Sequence, residues 1–394
     1  AGLPDPRTNE YNIDAAQFGE MMGAYLDLGI AAAGGCCGTN PEYIKKLVEK
    51  TKDLPFVLPE KKNFTAVSSY THAVVIGEKP TLIGERINPT GKSKLKEALR
   101  NSDMGYILSD IVGRTPSKSH SLIIGSHGRG WIPFGAEPES SAAHLGMKKA
   151  DVLTHEELWE PKGDVVTRYL GEDSTPQNRF DVTDLAQALN STGVKMEYIL
   201  FDACFMANVE SIYDLRNNAK YIVGSPCEIM GAGFPYANIM PELLKGNGIS
   251  YDLNAVCRKF NEDYAANPGY SGTVALFDCA QLDGLAQAVK RVNNAEKKEY
   301  KLSNIQSYEG LSPHVFFDLG DYVDKMCADE AAKSAFNEQL NRTVLSKYTL
   351  DTFLSMYGTS GRYKIDVFTG MSTSAPSPLY RSAYEQTSWY KATH

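Results

Sequence analysis

The chain has 394 residues, 42% of them apolar and 22% charged, and 40 Lys and Arg set against 48 Asp and Glu leave a net charge of −8. This is the composition of a globular protein, long enough for two or three domains. No dense basic tract could follow a phosphate backbone or an anionic membrane surface, and no apolar run nears the roughly 18 residues of a membrane span. Nucleic acid is therefore not an expected partner, and no membrane span is expected.

The first residues, AGLPDPRTNEYN, have neither the basic start nor the apolar core of a signal peptide. The seven cysteines are odd in number, irregularly spaced and without a CxxC pair, so they do not read as a disulfide framework. Residues 14–32 carry apolar side chains at helical spacing. Beyond GGCCGTNP a second helix starts, with Asn40 and Pro41 as its opening signal. Residues 51–80 read as loop with a short extended piece near THAVVIG. TLIGERINPTG (81–91) reads as a strand entering a loop, and KSKLKEALRNSDMGYIL (92–108) as a helix.

From about residue 109 the pattern becomes α/β. SLIIG (121–125) and MEYILFDAC (196–204) are short apolar runs of the buried-strand type. Between them, residues 132–180 lack periodicity and form a long excursion, which is uncommon unless it has a function. DVTDLAQALN and ANVESIYDLRNNA read as helices, and YIVGSP and TVALFD as strands. Asp278 with Gln281 has capping-box spacing at the head of another helix. Residues 318–356 are expected to be mostly helical, and KIDVFTGMS (364–372) to be a last strand. Alternating strands and helices predict a mostly parallel sheet covered on both faces.

Two of these strands end in reactive residue types, His127 and Cys204. Sites in open α/β sheets form beyond the carboxyl ends of the strands. If the two strands are parallel neighbours, His127 and Cys204 emerge on one rim, as a base and the thiol it activates require. A helix over 207–219 would favour the Cys204 thiolate. The N–H groups of Gly128 and Cys204 could stabilise an oxyanion. Asp202, two residues before the cysteine on the same strand, could bind a cationic substrate side chain. The alternatives are a small buried cysteine, a loop histidine and a helix-capping aspartate.

GSHGRGW and YILFDACFMANVES resemble the histidine and cysteine motifs of the clostripain family of cysteine peptidases. The resemblance continues through YIVGSPCEIMGAGFPY (221–236), FFDLGDYVDKM (316–326) and TGMSTSAPSPLYRSAYEQTSWYK (369–391). It covers about 109–394. It implies a caspase-like α/β/α sandwich and a cysteine endopeptidase that acts on proteins or peptides with Arg or Lys at P1. His127 would be the general base, Cys204 the nucleophile and Asp202 part of an acidic S1 pocket. It further implies export, calcium as a candidate ligand and autoprocessing at a basic residue. Lys148 and Lys149 are the preferred candidates in the excursion, ahead of Arg168 and Arg179. The chemistry itself requires no cofactor. Family members normally carry further strands before the histidine strand, and these have no counterpart upstream of residue 109, which predicts an exposed sheet edge.

GGCCGTNP resembles the paired zinc ligands of cobalamin-dependent methionine synthases, with AGLPDP (1–6) and GERINPTG (84–91) in the flanking places. This resemblance covers about 1–108. It implies an incomplete (β/α)8-barrel-derived segment, the end of a homocysteine-binding module joined to the start of a folate-binding module. Cys36 and Cys37 would be metal ligands and Asn88 would face a pterin. A zinc site of this kind needs three protein ligands, and no further Cys precedes Cys204, so zinc binding is not expected. The alternative readings of the whole chain are thus a methyltransferase fragment or a catalytically inactive chimera.

Overall fold

A computed structural model describes residues 13–26, 32–35, 38–54, 65–68, 73–76, 103–114, 117–126, 128–133, 136, 138, 154–160, 181–246 and 250–394. Cys36, Cys37, Asn88, His127, Lys148, Lys149, Arg168 and Arg179 lie outside these residues. The chain divides into two compact units, Ala1–Leu82 and Ile83–His394.

In the first unit, helix α1 (Ala15–Leu26) packs on α2 (Pro41–Thr51). Asn40 caps α2 as its sequence predicts: the side-chain oxygen accepts the N–H groups of Glu42 and Tyr43, and Pro41 fills the first helical position. Phe18 meets Tyr43 edge-on at 5.6 Å, and the Tyr43 hydroxyl donates to the Ile13 carbonyl. Met21, Tyr25, Ile44 and Val48 stay exposed. Strands β1 (Thr65–Ser68) and β2 (Ala73–Ile76) form an antiparallel pair.

The second unit is built on a five-stranded sheet in the order β3-β4-β5-β6-β8, formed by Leu122–Gly125, Met196–Asp202, Ala219–Gly224, Thr273–Asp278 and Val344–Thr349. β3, β4 and β5 are parallel; β6 is reversed and pairs antiparallel with both neighbours. Four of the five strands therefore run one way. Strand alternation sorts β4 between two apolar layers: Ile199 and Phe201 face one, Tyr198 and Leu200 the other. The second layer is closed by α7 (Tyr236–Leu243) and α8 (Leu253–Ala266). The first is closed by α5 (Val182–Ser191), α6 (Val209–Asp214), α9 (Leu282–Asn294), α10 (Leu319–Met326), α11 (Glu330–Thr343) and α13 (Ser388–Thr393). The result is an α/β/α sandwich. Among the described residues no helix is long and apolar enough to cross a membrane.

Helix α3 (Met104–Arg114) runs through positions 108 and 109, where the two sequence resemblances meet. Leu108 belongs to the sandwich core, and the Ser109 hydroxyl lies 3.4 Å from that of Ser191 on α5. Of the long excursion, a short helix α4 (His155–Leu158) and Trp159 are described. Trp159 is buried against Phe205, Phe316 and Tyr357, and its indole N–H donates to the Tyr380 hydroxyl at 3.0 Å.

The expected helical stretch 318–356 holds through α10 and α11 and is corrected only beyond residue 343. After α11 the chain forms β8 and then β9 (Thr352–Ser355), because VLSKYT alternates in burial and pairs with β6. The expected last strand breaks up. Only β10 (Gly361–Lys364), which pairs with β9, and the two-residue β11 (Ser372–Thr373), which pairs with β7 (Phe317–Asp318), are extended. Asp278 caps a 3₁₀ turn ahead of α9 by accepting the Ala280 N–H, and Gln281 bonds Gln339 instead of closing a box.

Glu210 on α6 is wholly buried, and burial raises its carboxyl from the ordinary 4.5 to about 7, with Asp214 adding to the rise and the donors on the group opposing it. In the unfolded chain this group ionises near 4.5, so between about 4.5 and 7 the folded state alone keeps the proton. Its contribution to stability is therefore full below that window and is lost as pH rises through it. Thermal melts across this range are expected to show the decline, and Glu210→Gln is expected to flatten it.

Candidate active site

The three parallel strands all deliver their carboxyl ends to one rim. There Gly125 is in register with Asp202, and the Ser126 N–H donates to the Asp202 carbonyl at 3.3 Å. β4 is apolar on both faces, as befits a central strand. Past Asp202 the chain leaves the strand in a turn that carries Cys204, and this turn keeps bonding toward β5: the Phe205 N–H donates to the Cys227 carbonyl and the Ala207 N–H to that of Ser225.

His127 itself is outside the described residues, but its neighbours are not. A Cβ on Gly128 would stand 2.0 Å from the Cys204 carbonyl oxygen, so the histidine segment and the cysteine turn meet backbone to backbone. Gly130 has φ +63°, and a Cβ there would stand 2.6 Å from the Asn208 amide nitrogen and 2.8 Å from the Phe316 ring. Gly128 and Gly130 of GSHGRGW are thus both required for the two loops to close on each other.

Cys204 is 1% exposed. Its Sγ accepts the Ile229 N–H at 3.3 Å. Burial pushes the thiol well above its ordinary value; the Glu228 carboxylate adds to this, and the Ile229 N–H works against it. This corrects the expected depression by a following helix. The expected helix 207–219 is shortened to the six residues of α6, which starts at Val209, and Asn208 caps it by accepting the Ser211 N–H at 2.9 Å. Its dipole is too short and too far along the chain to outweigh desolvation. Phe205, next to the cysteine, is held at φ +58° and stacks on Phe316 with ring centres 5.1 Å apart. A left-handed non-glycine residue costs about 1–3 kcal/mol, and the aromatic packing around Phe205 holds it there.

Asp202 is fully buried, and its Oδ2 accepts the Tyr236 hydroxyl proton at 2.7 Å. It lies on the α7 side of the sheet with Tyr198 and Leu200. Glu228, on the loop after β5, accepts the Met356 N–H at 2.8 Å. Tyr236, Glu228, Ile229 and Phe205 were not assigned by sequence reading, although CEIMGAGFPY contains three of them. No periodicity marks a loop backbone N–H or a left-handed turn. Among the described residues no group of three or more His, Cys, Asp and Glu side chains converges as a metal would require. The paired thiols of Cys36 and Cys37 have no third cysteine before the buried Cys204.

Comparisons with known proteins find two families along the chain. Residues 152–392 match the clostripain family, and residues 1–51 match the homocysteine S-methyltransferase family. A methionine synthase of Mycobacterium leprae is 29% identical over 133 residues, 31% of this chain; the chain spans 11% of that enzyme's length. A secreted C11 cysteine protease of Bacteroides thetaiotaomicron is 34% identical with a TM-score of 0.64, and the match covers 84% of each chain. A clostripain of Bacteroides thetaiotaomicron ATCC 29148, solved in complex with the peptide inhibitor BTN-VLTK-AOMK, is 39% identical with a TM-score of 0.52; the match covers 57% of this chain and 99% of that one. The chain belongs to the clostripain family of cysteine peptidases.

Proposed function

We propose that the chain is an endopeptidase that cleaves after Arg or Lys, with Cys204 as nucleophile and His127 as general base. The observation that carries this is the parallel pairing of β3 with β4, with Gly128 seated on the Cys204 carbonyl. His127 takes the Sγ proton, and the thiolate attacks the scissile carbonyl. The N–H groups of Gly128 and Cys204 receive the developing oxyanion. His127 then protonates the leaving amine, and water, deprotonated by His127, hydrolyses the thioester. Two atoms in position and one proton in transit suffice, with no cofactor in the cycle.

Asp202 is the residue for the cationic P1 side chain: a carboxylate at the floor of the rim pairs best with Arg or Lys. The inhibitor peptide of the 39% identical relative, VLTK, ends in Lys, which agrees with that preference. In the described conformation neither Asp202 nor Cys204 reaches solvent. The chain must open before a substrate can reach them, and cleavage at Lys148 or Lys149 is the step we assign to that opening. The peptidase portion is assigned to 109–394 and the methyltransferase-like portion to 1–108. Export, as printed for one relative, is the proposed destination.

Cys204→Ala is expected to abolish cleavage of Arg- and Lys-terminated reporters, and retained turnover would end the assignment. Asp202→Asn is expected to lower kcat/KM on the same reporters by at least about thirtyfold, the lower end of the ~2–5 kcal/mol for a severed buried charge pair. Incubated wild-type protein should split into two fragments at 148–149 by mass spectrometry, and Lys148→Gln with Lys149→Gln should stay whole.

A further inference from the structure

The carboxyl group of Glu210 has no part in the scheme above and is costly where it stands. It is wholly buried on a helix otherwise packed through Val209, Ile212 and Tyr213, and its Oε2 has no hydrogen-bond partner. An apolar residue of similar size would pack there without that penalty. What Glu210 does hold is β11 and the residue after it: its Oε1 accepts the Thr373 hydroxyl proton at 2.8 Å and the Ser374 N–H at 2.9 Å.

That short segment touches both halves of the rim. On one side, the Ser372 N–H donates to the Ala207 carbonyl at 2.9 Å, three residues beyond Cys204. On the other, the Ser374 hydroxyl accepts the indole N–H of Trp131 at 2.8 Å, four residues beyond His127. The Trp131 ring also lies edge-on to Tyr384 at 5.6 Å, on the short helix α12 (Arg381–Tyr384). The segment 128–131 therefore lies close against the Cys204 carbonyl at its start and is hydrogen-bonded to Ser374 at its end.

We infer that Glu210 is a positioning residue for the peptidase reaction: through Thr373, Ser374 and Trp131 it fixes the loop of His127 against the turn of Cys204. The inference rests on the His127–Cys204 reading above. What it requires of position 210 is a hydrogen-bond acceptor and not a charge, so a glutamine serves where an alanine or leucine fails.

The test compares Glu210→Gln, Glu210→Ala, Glu210→Leu and Ser374→Ala in the full chain. Activity is normalised to the fraction of Cys204 that a covalent inhibitor titrates, and the hydrogen-exchange rate of the Trp131 indole N–H is followed in parallel. Glu210→Ala, Glu210→Leu and Ser374→Ala are expected to lower kcat at least tenfold with KM within about twofold, and to speed indole exchange at least tenfold. Glu210→Gln is expected to restore most of both. Equal impairment of the Gln and Ala variants would overturn the inference, as would a leucine variant with wild-type kcat and slow indole exchange. If the alanine and leucine variants fail to fold, Ser374→Ala decides alone, and an unchanged kcat there refutes the proposal. Should the wild type fail to cleave, the peptidase assignment falls by itself, while the indole exchange rates still decide whether Glu210 holds Trp131.

Discussion

The rim depends on the parallel pairing of β3 with β4. A parallel pair sends both chain ends out on the same side, so the residues after Gly125 and after Asp202 leave the sheet together. The consequence is a close approach of two backbones, and only glycine at 128 permits it, because the space a side chain would need is occupied by the Cys204 carbonyl. Everything outward of this contact is scaffolding for it: the left-handed Phe205, the aromatic stack on Phe316, the Asn208 cap and the Trp131 anchor.

Burial sets the resting chemistry. Cys204 sits as a neutral thiol because a thiolate there would be desolvated and would face Glu228. Asp202 has its carboxylate engaged by Tyr236. With Cys204 and Asp202 both withdrawn from solvent, the proposed nucleophile and P1 residue make access the control on reactivity. A peptidase that must not digest its surroundings during folding gains from such an arrangement.

Much of this architecture was legible in the sequence. The apolar runs 121–125 and 196–204 marked their strands, Asn40-Pro41 marked a helix start, and DVTDLAQALN read as the helix that the structure repeats. The strand β8 was not legible. VLSKYT follows a strongly helical stretch, and only its pairing with β6, residues apart by some seventy positions, makes it extended. The helices of 227–272 were also missed, since α7 contains Pro241 and begins without a side-chain cap. At the site, residue types were legible and electrostatics were not. Cys204 before a helical pattern suggests a lowered thiol, and only the packing shows that desolvation wins. The role of Glu210 needed contacts with Thr373 and Ser374, more than 160 residues away.

Helix α3 bears on how the molecule can be dissected. The two sequence resemblances meet in the middle of it, but its backbone hydrogen bonds and the packing of Leu108 make it one piece with the sandwich. A peptidase fragment started at residue 109 would sever that helix after its first turn, strip the core of Leu108 and leave Ser109, which faces the Ser191 hydroxyl, at a frayed chain end. Ancestry and cooperativity thus draw their boundaries in different places: the physical edge of the peptidase lies at or before Asp103, whose side chain receives the Tyr106 N–H at the head of the helix.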